Sequence, residues 1–268
     1  MVVAQDRAVA SLLAPDEPAP FEIIETDSDR PLVLACDHAS NRIPRSLGDL
    51  GLDRAMLEEH IAWDISAGAI TRLLSERLGA TAVLGGYSRL VVDLNRDLKD
   101  STAFPPISDG VLIEANLNLS DEEKSERARF LFRPYHEAIR QVIAARTTAT
   151  QQPAVVCIHS FTPNFHGVMR PWQMGILWDK DPRVALGLIP ALRERDILVG
   201  DNEPYSGRHP ADYTVDHHAE SSGLAYASIE IRQDLVIDDS GRRLWTDKLA
   251  GALEYVLQDA RLYEPVGA

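Results

Sequence analysis

Two apolar segments of this chain, Pro31-Leu-Val-Leu-Ala-Cys-Asp-His38 and Pro153-Ala-Val-Val-Cys-Ile-His-Ser160, decide the fold, and each leads to a histidine. Short runs of branched apolar residues that are bounded by proline and polar residues are typical of buried strands. A third run, Ala225-Tyr-Ala-Ser-Ile-Glu-Ile-Arg232, carries Glu230 inside an otherwise apolar pattern. We therefore predict three buried strands, each of which delivers a polar side chain.

The remaining pattern alternates strands with helices, which predicts an α/β fold. Further strands are predicted at 21–25, 81–84, 88–94, 174–178 and 197–200. Helices are predicted at 53–78, 121–146, 182–195 and 243–258, with a short helix around Val215. Gly79 and the capping box of Ser120 and Glu123 mark two of the helix ends. We expect a three-layer sandwich, in which a mainly parallel sheet has helices on both faces.

The length of 268 residues suits one α/β domain, which we place at residues 20–268. Residues 1–19 are rich in Ala, Pro and acidic residues, so a mobile tail is expected there. The apolar stretch 8–14 does not follow a basic segment, and a signal peptide is therefore not expected. The segment 95–119 lacks a strong period, and loops of that length are often functional.

The charge of the chain limits its partners. Forty-one acidic and 27 basic residues give a net charge of −14, which opposes binding to nucleic acid or to an anionic membrane. No apolar run approaches the length of a membrane span. We expect a cytoplasmic protein with a small-molecule ligand, and the sequence does not indicate an oligomeric state. An anionic ligand would need a local cluster of arginines.

The strand ends carry the chemistry. Ligands of α/β proteins bind where parallel strands end, and two imidazoles with a carboxylate are the components of a metal hydrolase. A histidine that only forms structural hydrogen bonds is the alternative at each position. The two cysteines, Cys36 and Cys157, precede the two histidines, so a cysteine nucleophile is conceivable. Buried cysteines usually behave as small apolar residues, which disfavours that alternative.

Five motifs, in a fixed order between residues 31 and about 236, resemble the N-formylglutamate amidohydrolase family. They are Cys36-Asp-His-Ala-Ser-Asn-Arg-Ile-Pro44, His60-Ile-Ala-Trp-Asp64, Ser88-Arg-Leu-Val-Val-Asp-Leu-Asn-Arg96, Ile158-His-Ser160 and Ile229-Glu-Ile-Arg-Gln-Asp234. The family is similar to zinc carboxypeptidases, which implies a mixed eight-stranded sheet between helices. The resemblance also implies hydrolysis of N-formyl-L-glutamate to formate and L-glutamate, the last step of one route of histidine degradation.

The resemblance implies roles for individual residues as well. His38 and His159 match the two histidine ligands of a zinc ion. Glu230 matches the catalytic glutamate. Asn95 and Arg96 match the pair that holds a carboxylate of the substrate.

The third zinc ligand is open, because carboxypeptidases carry His-x-x-Glu and Asn41 stands at the third position after His38. Asn is a poor zinc ligand, whereas zinc accepts an Asp oxygen readily, so we assign the position to Asp64. A helix over this segment would place His60 and Asp64 on one face, which keeps His60 as a second possibility. The alternative role for Asp64 is to cap a helix.

The arginine that stabilises the developing oxyanion is also open. Arg89 is our first candidate, and Arg170 and Arg232 are the others. Arg96 carries a planar guanidinium group that can bind a carboxylate through two hydrogen bonds. The alternative role for Arg96 is an ordinary ion pair within the protein. Glu230 could likewise be neutralised by Arg232, which lies two residues further along the strand.

We therefore expect a zinc-dependent amidohydrolase that cleaves an N-acyl amino acid, and the resemblance implies N-formyl-L-glutamate as the first candidate substrate. A deacylase or carboxypeptidase that acts on another N-acyl amino acid or a small peptide would use the same metal ligands, glutamate and arginines. A relative that binds amino-acid derivatives without turnover is the non-enzymatic alternative, and Asn41 is its only support.

Overall fold

The computed structural model describes residues 11–208 and 212–264. The strands in this part of the chain are β1 (Phe21–Ile24), β2 (Leu32–Cys36), β3 (Thr81–Gly85), β4 (Ile107–Ser108), β5 (Val111–Leu112), β6 (Ala154–Phe161), β7 (Asn164–Phe165), β8 (Val168–Met169), β9 (Met174–Leu177), β10 (Val199–Asp201) and β11 (Tyr226–Arg232). The α-helices are α1 (Arg54–Glu58), α2 (Ala67–Leu78), α3 (Asp121–Arg127), α4 (Arg133–Arg146), α5 (Arg183–Arg193), α6 (Tyr213–His218) and α7 (Asp239–Val256).

One mixed sheet contains seven of these strands, in the order β1-β3-β2-β6-β11-β9-β10. The four strands β3, β2, β6 and β11 run parallel to one another, while β1 is antiparallel to β3 and β9 is antiparallel to β11 but parallel to β10. The mainly parallel sheet is therefore confirmed. The expected eight strands are not: within the described residues the sheet has seven, and β4-β5 and β7-β8 form two separate hairpins.

The predicted strand at 88–94 is wrong, because this segment forms turns beside the sheet. The Ser88 hydroxyl donates to the carbonyl of Ala62 at 2.7 Å and accepts a hydrogen bond from the backbone of Leu90 at 3.1 Å. Such bonds between a side chain and the backbone compete with strand pairing. The apolar residues of the segment are nevertheless buried, which explains why the sequence resembles a strand.

Helices cover both faces of the sheet. Leu32, Leu34 and Cys36 of β2 belong to an apolar core with residues of α2, α5 and α7. Val33 and Ala35, which alternate with them, belong to a second core with residues of α4. Because successive side chains of a strand point to opposite faces, β2 is buried on both sides and the domain has three layers.

The predicted helix at 53–78 is interrupted, which matters for the site. Asp53 caps α1 by accepting a hydrogen bond from the backbone of Met56, and α2 begins only at Ala67. A Cβ at Gly68 would lie 2.9 Å from the carbonyl oxygen of Ala39, so glycine lets the start of α2 approach the chain that follows β2. The end of α2 at Gly79, which has a φ of 61°, is as predicted.

The other long helices follow the predictions closely. The capping box of Ser120 and Glu123 is present, and α3 continues into α4 through one π-helical turn at Ala128–Phe132. Helix α7 begins at Asp239, four residues before the predicted start, because Asp238 accepts a hydrogen bond from the backbone of Gly241.

Part of the expected N-terminal tail is packed against the domain. Leu12 is 3% exposed and belongs to the second core, and its carbonyl accepts a hydrogen bond from Ser46. The Tyr87 hydroxyl donates to the carbonyl of Pro18 at 2.8 Å. Residues 1–10, where a tail stays a prediction, lie outside the described residues. Across residues 11–208 and 212–264, no helix combines the length and apolar character needed to span a membrane.

Candidate active site

The carboxyl edge of three neighbouring strands collects the polar residues that the sequence singled out. Strands β2, β6 and β11 are adjacent and parallel. His38 follows β2, whereas His159 lies within β6 and Glu230 within β11. These three side chains are buried, with exposures of 2%, 4% and 7% respectively. The fold thus delivers two imidazoles and a carboxyl to the edge where α/β proteins bind ligands.

Asp64 reaches the same edge from the connection between α1 and α2. Its backbone N–H donates to the carbonyl of His38 at 3.0 Å, which holds the connection against the end of β2. Asp64 Oδ2 lies 3.0 Å from His159 Nδ1 and 3.3 Å from His38 Nδ1. One ligand atom from each of the three residues lies within 4.8 Å of the others. These buried residues could therefore hold a metal ion.

The Nε2 atom of each histidine faces a carboxylate. His38 Nε2 is 2.7 Å from Asp93 Oδ1, and His159 Nε2 is 3.4 Å from Asp37 Oδ2. A carboxylate at Nε2 favours a proton there and leaves the Nδ1 lone pair for a metal. His38 Nδ1 is buried and has no hydrogen-bond partner within the described residues. The donor set and the unpartnered nitrogen fit a catalytic metal site with three protein ligands.

The buried charges around these ligands favour a cation. Burial and the charge of Arg89 oppose protonation of His38, but Asp93 and Asp64 outweigh them and raise the pKa of its imidazole. Burial also opposes ionisation of Asp64, yet the neighbouring His38 and His159 hold the pKa of its carboxyl well below the usual range. Because the protonated imidazoles and a metal ion compete for the same lone pairs, metal binding would release those protons.

Asp37 and Asp93 are the supporting carboxylates that the sequence analysis missed. Asp37 accepts hydrogen bonds from the Tyr135 hydroxyl at 2.8 Å and the Thr214 hydroxyl at 2.6 Å. Burial alone would raise the pKa of Asp37, but the neighbouring His159 lowers it to about 2. Asp37 directly precedes His38, so a search for carboxylates beside the histidines would have found it, whereas Asp93 lies 55 residues from His38 along the chain.

A second group of potential ligand atoms shares part of this site. Asp37, His159 and Asp212 also bring ligand atoms within 4.8 Å of one another. Asp212 caps α6 and accepts a hydrogen bond from the hydroxyl of Ser228. Because Asp37 Oδ2 lies 3.4 Å from His159 Nε2, the Asp37 carboxylate is suited to orienting that ring.

The carboxyl of Glu230 stands beside the ligand group. Its Oε2 atom is buried and lacks a hydrogen bond to any described residue. Burial raises the pKa of Glu230 to about 8; the charge of His159 opposes this shift, whereas the carboxylate of Asp64 adds to it. Arg232, which the sequence offered as a neutralising partner, pairs instead with Asp234 at 2.8 Å. A buried carboxyl of this kind is suited to proton transfer.

A cavity of about 350 Å³ opens beside these residues. It is lined by His38, Asp64, Arg89, Asn95, Arg96, His159, Ser160, Leu177, Tyr205, Ser206, Asp212 and Glu230. The structure therefore brings together the seven residues that the sequence analysis assigned to metal binding, catalysis and substrate binding.

The polar residues from the 88–96 motif form one part of the cavity wall. Arg89 Nη2 lies 2.8 Å from Asp93 Oδ2, and its Nη1 lies 3.4 Å from Asp64 Oδ1. Asn95 Oδ1 accepts a hydrogen bond from the backbone N–H of Thr214 at 2.9 Å. Arg96 Nη1 donates to the carbonyl of Asn95 at 2.9 Å. These bonds hold two arginine side chains and one amide at the cavity.

Two alternative ligand candidates lie away from the cavity. His60 Nε2 is 3.1 Å from Asp109 Oδ2, and the side chain of Asn41 donates to the carbonyl of Leu57 at 2.8 Å. His60 and Asp64 do not share a helix face, because both lie in the connection between α1 and α2. The geometry thus favours Asp64 over both alternatives as the third ligand.

The cysteine alternative finds no support in the structure. Cys36 and Cys157 are fully buried, and neither lines the cavity. Burial raises the pKa of the Cys36 thiol to about 12 and that of Cys157 well above its ordinary value. A nucleophilic cysteine needs the thiolate form, which these environments oppose.

Comparisons with known proteins identify the family of this chain. The family model described as N-formylglutamate amidohydrolase matches residues 30–237. Two curated relatives, from Pseudomonas aeruginosa and Pseudomonas putida, are named N-formylglutamate deformylase and are 25% and 22% identical to this chain. Each alignment covers 85% of this chain and 90% of the relative.

Two solved structures share the fold of this chain. The crystal structure of a gene product from Agrobacterium tumefaciens is 34% identical, with a TM-score of 0.89 over 93% of this chain and 99% of that one. An N-formylglutamate amidohydrolase from Ralstonia eutropha shares the fold, with 18% identity and a TM-score of 0.66 over 91% of this chain and 99% of the other. Because the family model covers most of the sequence, the chain belongs to the N-formylglutamate amidohydrolase family.

Proposed function

We propose that this protein is a zinc-dependent hydrolase that converts N-formyl-L-glutamate and water to formate and L-glutamate. The convergence of His38, Asp64 and His159 carries the proposal, since their ligand atoms lie within 4.8 Å of one another at a cavity that also contains Glu230. Membership of the family and the names of the two Pseudomonas relatives support the choice of substrate.

His38 and His159 would hold the zinc ion through Nδ1, and Asp64 would hold it through a carboxylate oxygen. Zinc in catalytic sites takes three such ligands and keeps one position open. When bound, it supplies Lewis acidity that makes water a nucleophile near neutral pH. Asp93, at 2.7 Å from His38 Nε2, and Asp37, at 3.4 Å from His159 Nε2, would orient the two imidazoles.

Glu230 is the proposed general base and acid. As the water oxygen forms a bond to the formyl carbon, the Glu230 carboxylate takes the proton of that water. The same proton then passes to the nitrogen of the breaking C–N bond, so that glutamate leaves with a neutral amine. The carboxyl suits both steps because it is buried at the cavity and is not bound to another described residue.

The arginines of the cavity provide the positive charge that an anionic substrate needs in a chain of net charge −14. Arg96 offers a planar fork that can bind the α-carboxylate through two hydrogen bonds, with Asn95 beside it. Arg89 lies between Asp64 and Asp93 and is our candidate for stabilising the negative charge that develops on the formyl oxygen.

The test is a metal analysis of the purified protein, combined with an assay for formate release from N-formyl-L-glutamate. We expect one zinc per chain and turnover. N-acetyl-L-glutamate and a short peptide with a C-terminal glutamate serve as comparison substrates, because they keep the glutamate and enlarge the acyl group. Faster cleavage of either comparison substrate would show that N-formyl-L-glutamate is not the preferred substrate. If the zinc-loaded protein cleaves none of the three compounds, the protein is a binding protein and not an enzyme for them.

A further inference from the structure

Arg170 is a buried cation that the proposed chemistry does not use. It follows β8 and is 8% exposed, and its backbone N–H donates to the carbonyl of Pro163 at 2.9 Å. Its guanidinium carbon lies 4.5 Å from the ring centre of Phe165 and 4.9 Å from that of Tyr205. The two aromatic faces stabilise the charge and fix the plane of the guanidinium.

Neutral groups supply the hydrogen bonds of this guanidinium. Arg170 Nη1 donates to the Tyr205 hydroxyl at 3.0 Å and to the Thr162 hydroxyl at 3.3 Å. Within residues 11–208 and 212–264, no carboxylate lies within 4.0 Å of Arg170, and its Nε and Nη2 make no hydrogen bond. Arg89 and Arg232, by contrast, are paired with Asp93 and Asp234. A buried charge of this kind is stabilised when an anion reaches it.

Tyr205 connects Arg170 to the cavity. The Tyr205 side chain lines the cavity together with Arg96 and Glu230. Its hydroxyl already accepts a hydrogen bond from Arg170, so the hydroxyl proton remains available to a ligand. Arg170 itself does not line the cavity, so a ligand that contacts this hydroxyl lies one hydrogen bond away from Arg170 Nη1.

We propose that Arg170 and Tyr205 bind the second carboxylate of the substrate and are the residues that distinguish this carboxylate from an amide. The inference rests on the proposed function. Arg96 would bind the α-carboxylate, and the side-chain carboxylate would supply the anion that Arg170 lacks. A charged donor within a planar fork discriminates a carboxylate from the isosteric amide, because the amide offers only one acceptor oxygen and no negative charge.

The experiment compares N-formyl-L-glutamate with N-formyl-L-glutamine in the wild-type protein and in Arg170→Met, both loaded with zinc. A hydrogen bond to a charged group contributes enough that kcat/KM for the glutamate derivative should fall about 10- to 100-fold. For the glutamine derivative we expect a change of less than about threefold. Arg170→Lys should retain part of the preference, and Tyr205→Phe should reduce it by a smaller factor.

Two controls make the result interpretable. Arg146→Met removes another partly buried arginine, which donates to the Ser28 carbonyl and the Thr81 hydroxyl away from the cavity, and it should leave the ratio of the two kcat/KM values unchanged. Calorimetric titration with L-glutamate and L-glutamine, and the thermal midpoint of each variant, give readouts that do not need turnover.

Each outcome has one meaning. Loss of the glutamate preference in both kinetics and product binding, with an unchanged thermal midpoint, supports this role of Arg170 and Tyr205. An equal loss on both substrates, or an unchanged preference, overturns it while the proposed function stands. If the wild-type protein releases no formate from either substrate, the proposed function fails and this role fails with it. If Arg170→Met does not fold, Arg170→Lys and Tyr205→Phe decide between these results.

Discussion

Glu230 on β11 lies directly beside His159 on β6, in register between two parallel strands. Residues paired in this way project their side chains from the same face of a sheet. The proposed proton acceptor and a proposed metal ligand are therefore fixed relative to each other by backbone hydrogen bonds rather than by a loop. A reaction that needs both groups within a few ångströms benefits from such rigid placement.

The two histidines should be required for metal binding. Removal of one of three protein ligands sharply weakens a metal site, so His38→Ala and His159→Ala should each lose zinc while they stay folded. Elemental analysis after desalting and the thermal midpoint of each variant check this. A stoichiometric zinc content in either variant would remove that histidine from the site.

The third ligand can be identified by three matched variants. Asp64→Ala should lose zinc, because Asp64 Oδ2 is the atom shared by both histidines. Asn41→Ala and His60→Ala should keep it, because their side chains bind Leu57 and Asp109 instead. Zinc retained by Asp64→Ala and lost by either of the others would show that the ligand has been misplaced.

The strand-borne part of the site was predictable from the sequence. A parallel strand that is buried on both faces has an almost continuous apolar run, so a polar residue within it or just after it is conspicuous. His38, His159 and Glu230 all interrupt such runs, and the parallel order of β2, β6 and β11 brings them to one edge. Local pattern and sheet topology are sufficient for these three residues.

The other features of the site and fold depend on contacts between residues that are distant in the sequence. The break between α1 and α2 includes the hydrogen bond from Asp64 to the carbonyl of His38, and a helical period does not reveal it. Asp37 acquires its role from Tyr135 and Thr214, which are 98 and 177 residues away along the chain. Segment 88–94 has the composition of a strand, but the side-chain bonds of Ser88 hold it in turns.

Glu230→Gln should separate catalysis from binding. Loss of a general base typically costs about 10²- to 10⁴-fold in rate, so kcat should fall by that order while zinc content and KM change little. Arg96→Ala is the matched variant and should raise KM more than it lowers kcat, because a carboxylate contact is equal in ground and transition states. A folded, zinc-loaded Glu230→Gln protein with near wild-type turnover would end the assignment of Glu230 as the base.

A buried histidine pair should make stability depend on pH. His136 Nδ1 and His218 Nε2 are 3.0 Å apart, and both rings are buried. Burial lowers the pKa of His136 to about 4 and that of His218 to about 3. The unfolded chain binds these protons near pH 6.5, so the free energy contributed by the neutral pair is complete above about pH 6.5 and is lost as the pH falls toward 4.

Urea unfolding at several pH values tests this dependence. His218→Leu removes one titrating group, so its free energy of unfolding should fall less steeply than that of the wild-type protein between pH 6.5 and 4. His166→Gln, which changes an exposed histidine, is the control and should follow the wild-type slope. Parallel slopes for the wild-type protein and His218→Leu would refute the role of the pair.

Reconstitution of the metal-free protein tests the central claim most directly. The protein is stripped with a chelator, desalted and titrated with zinc, and formate release from N-formyl-L-glutamate is followed at each step. We predict negligible turnover without metal and a linear recovery that is complete at one zinc per chain. Full turnover by the stripped protein, or no turnover at any zinc content, would contradict the account.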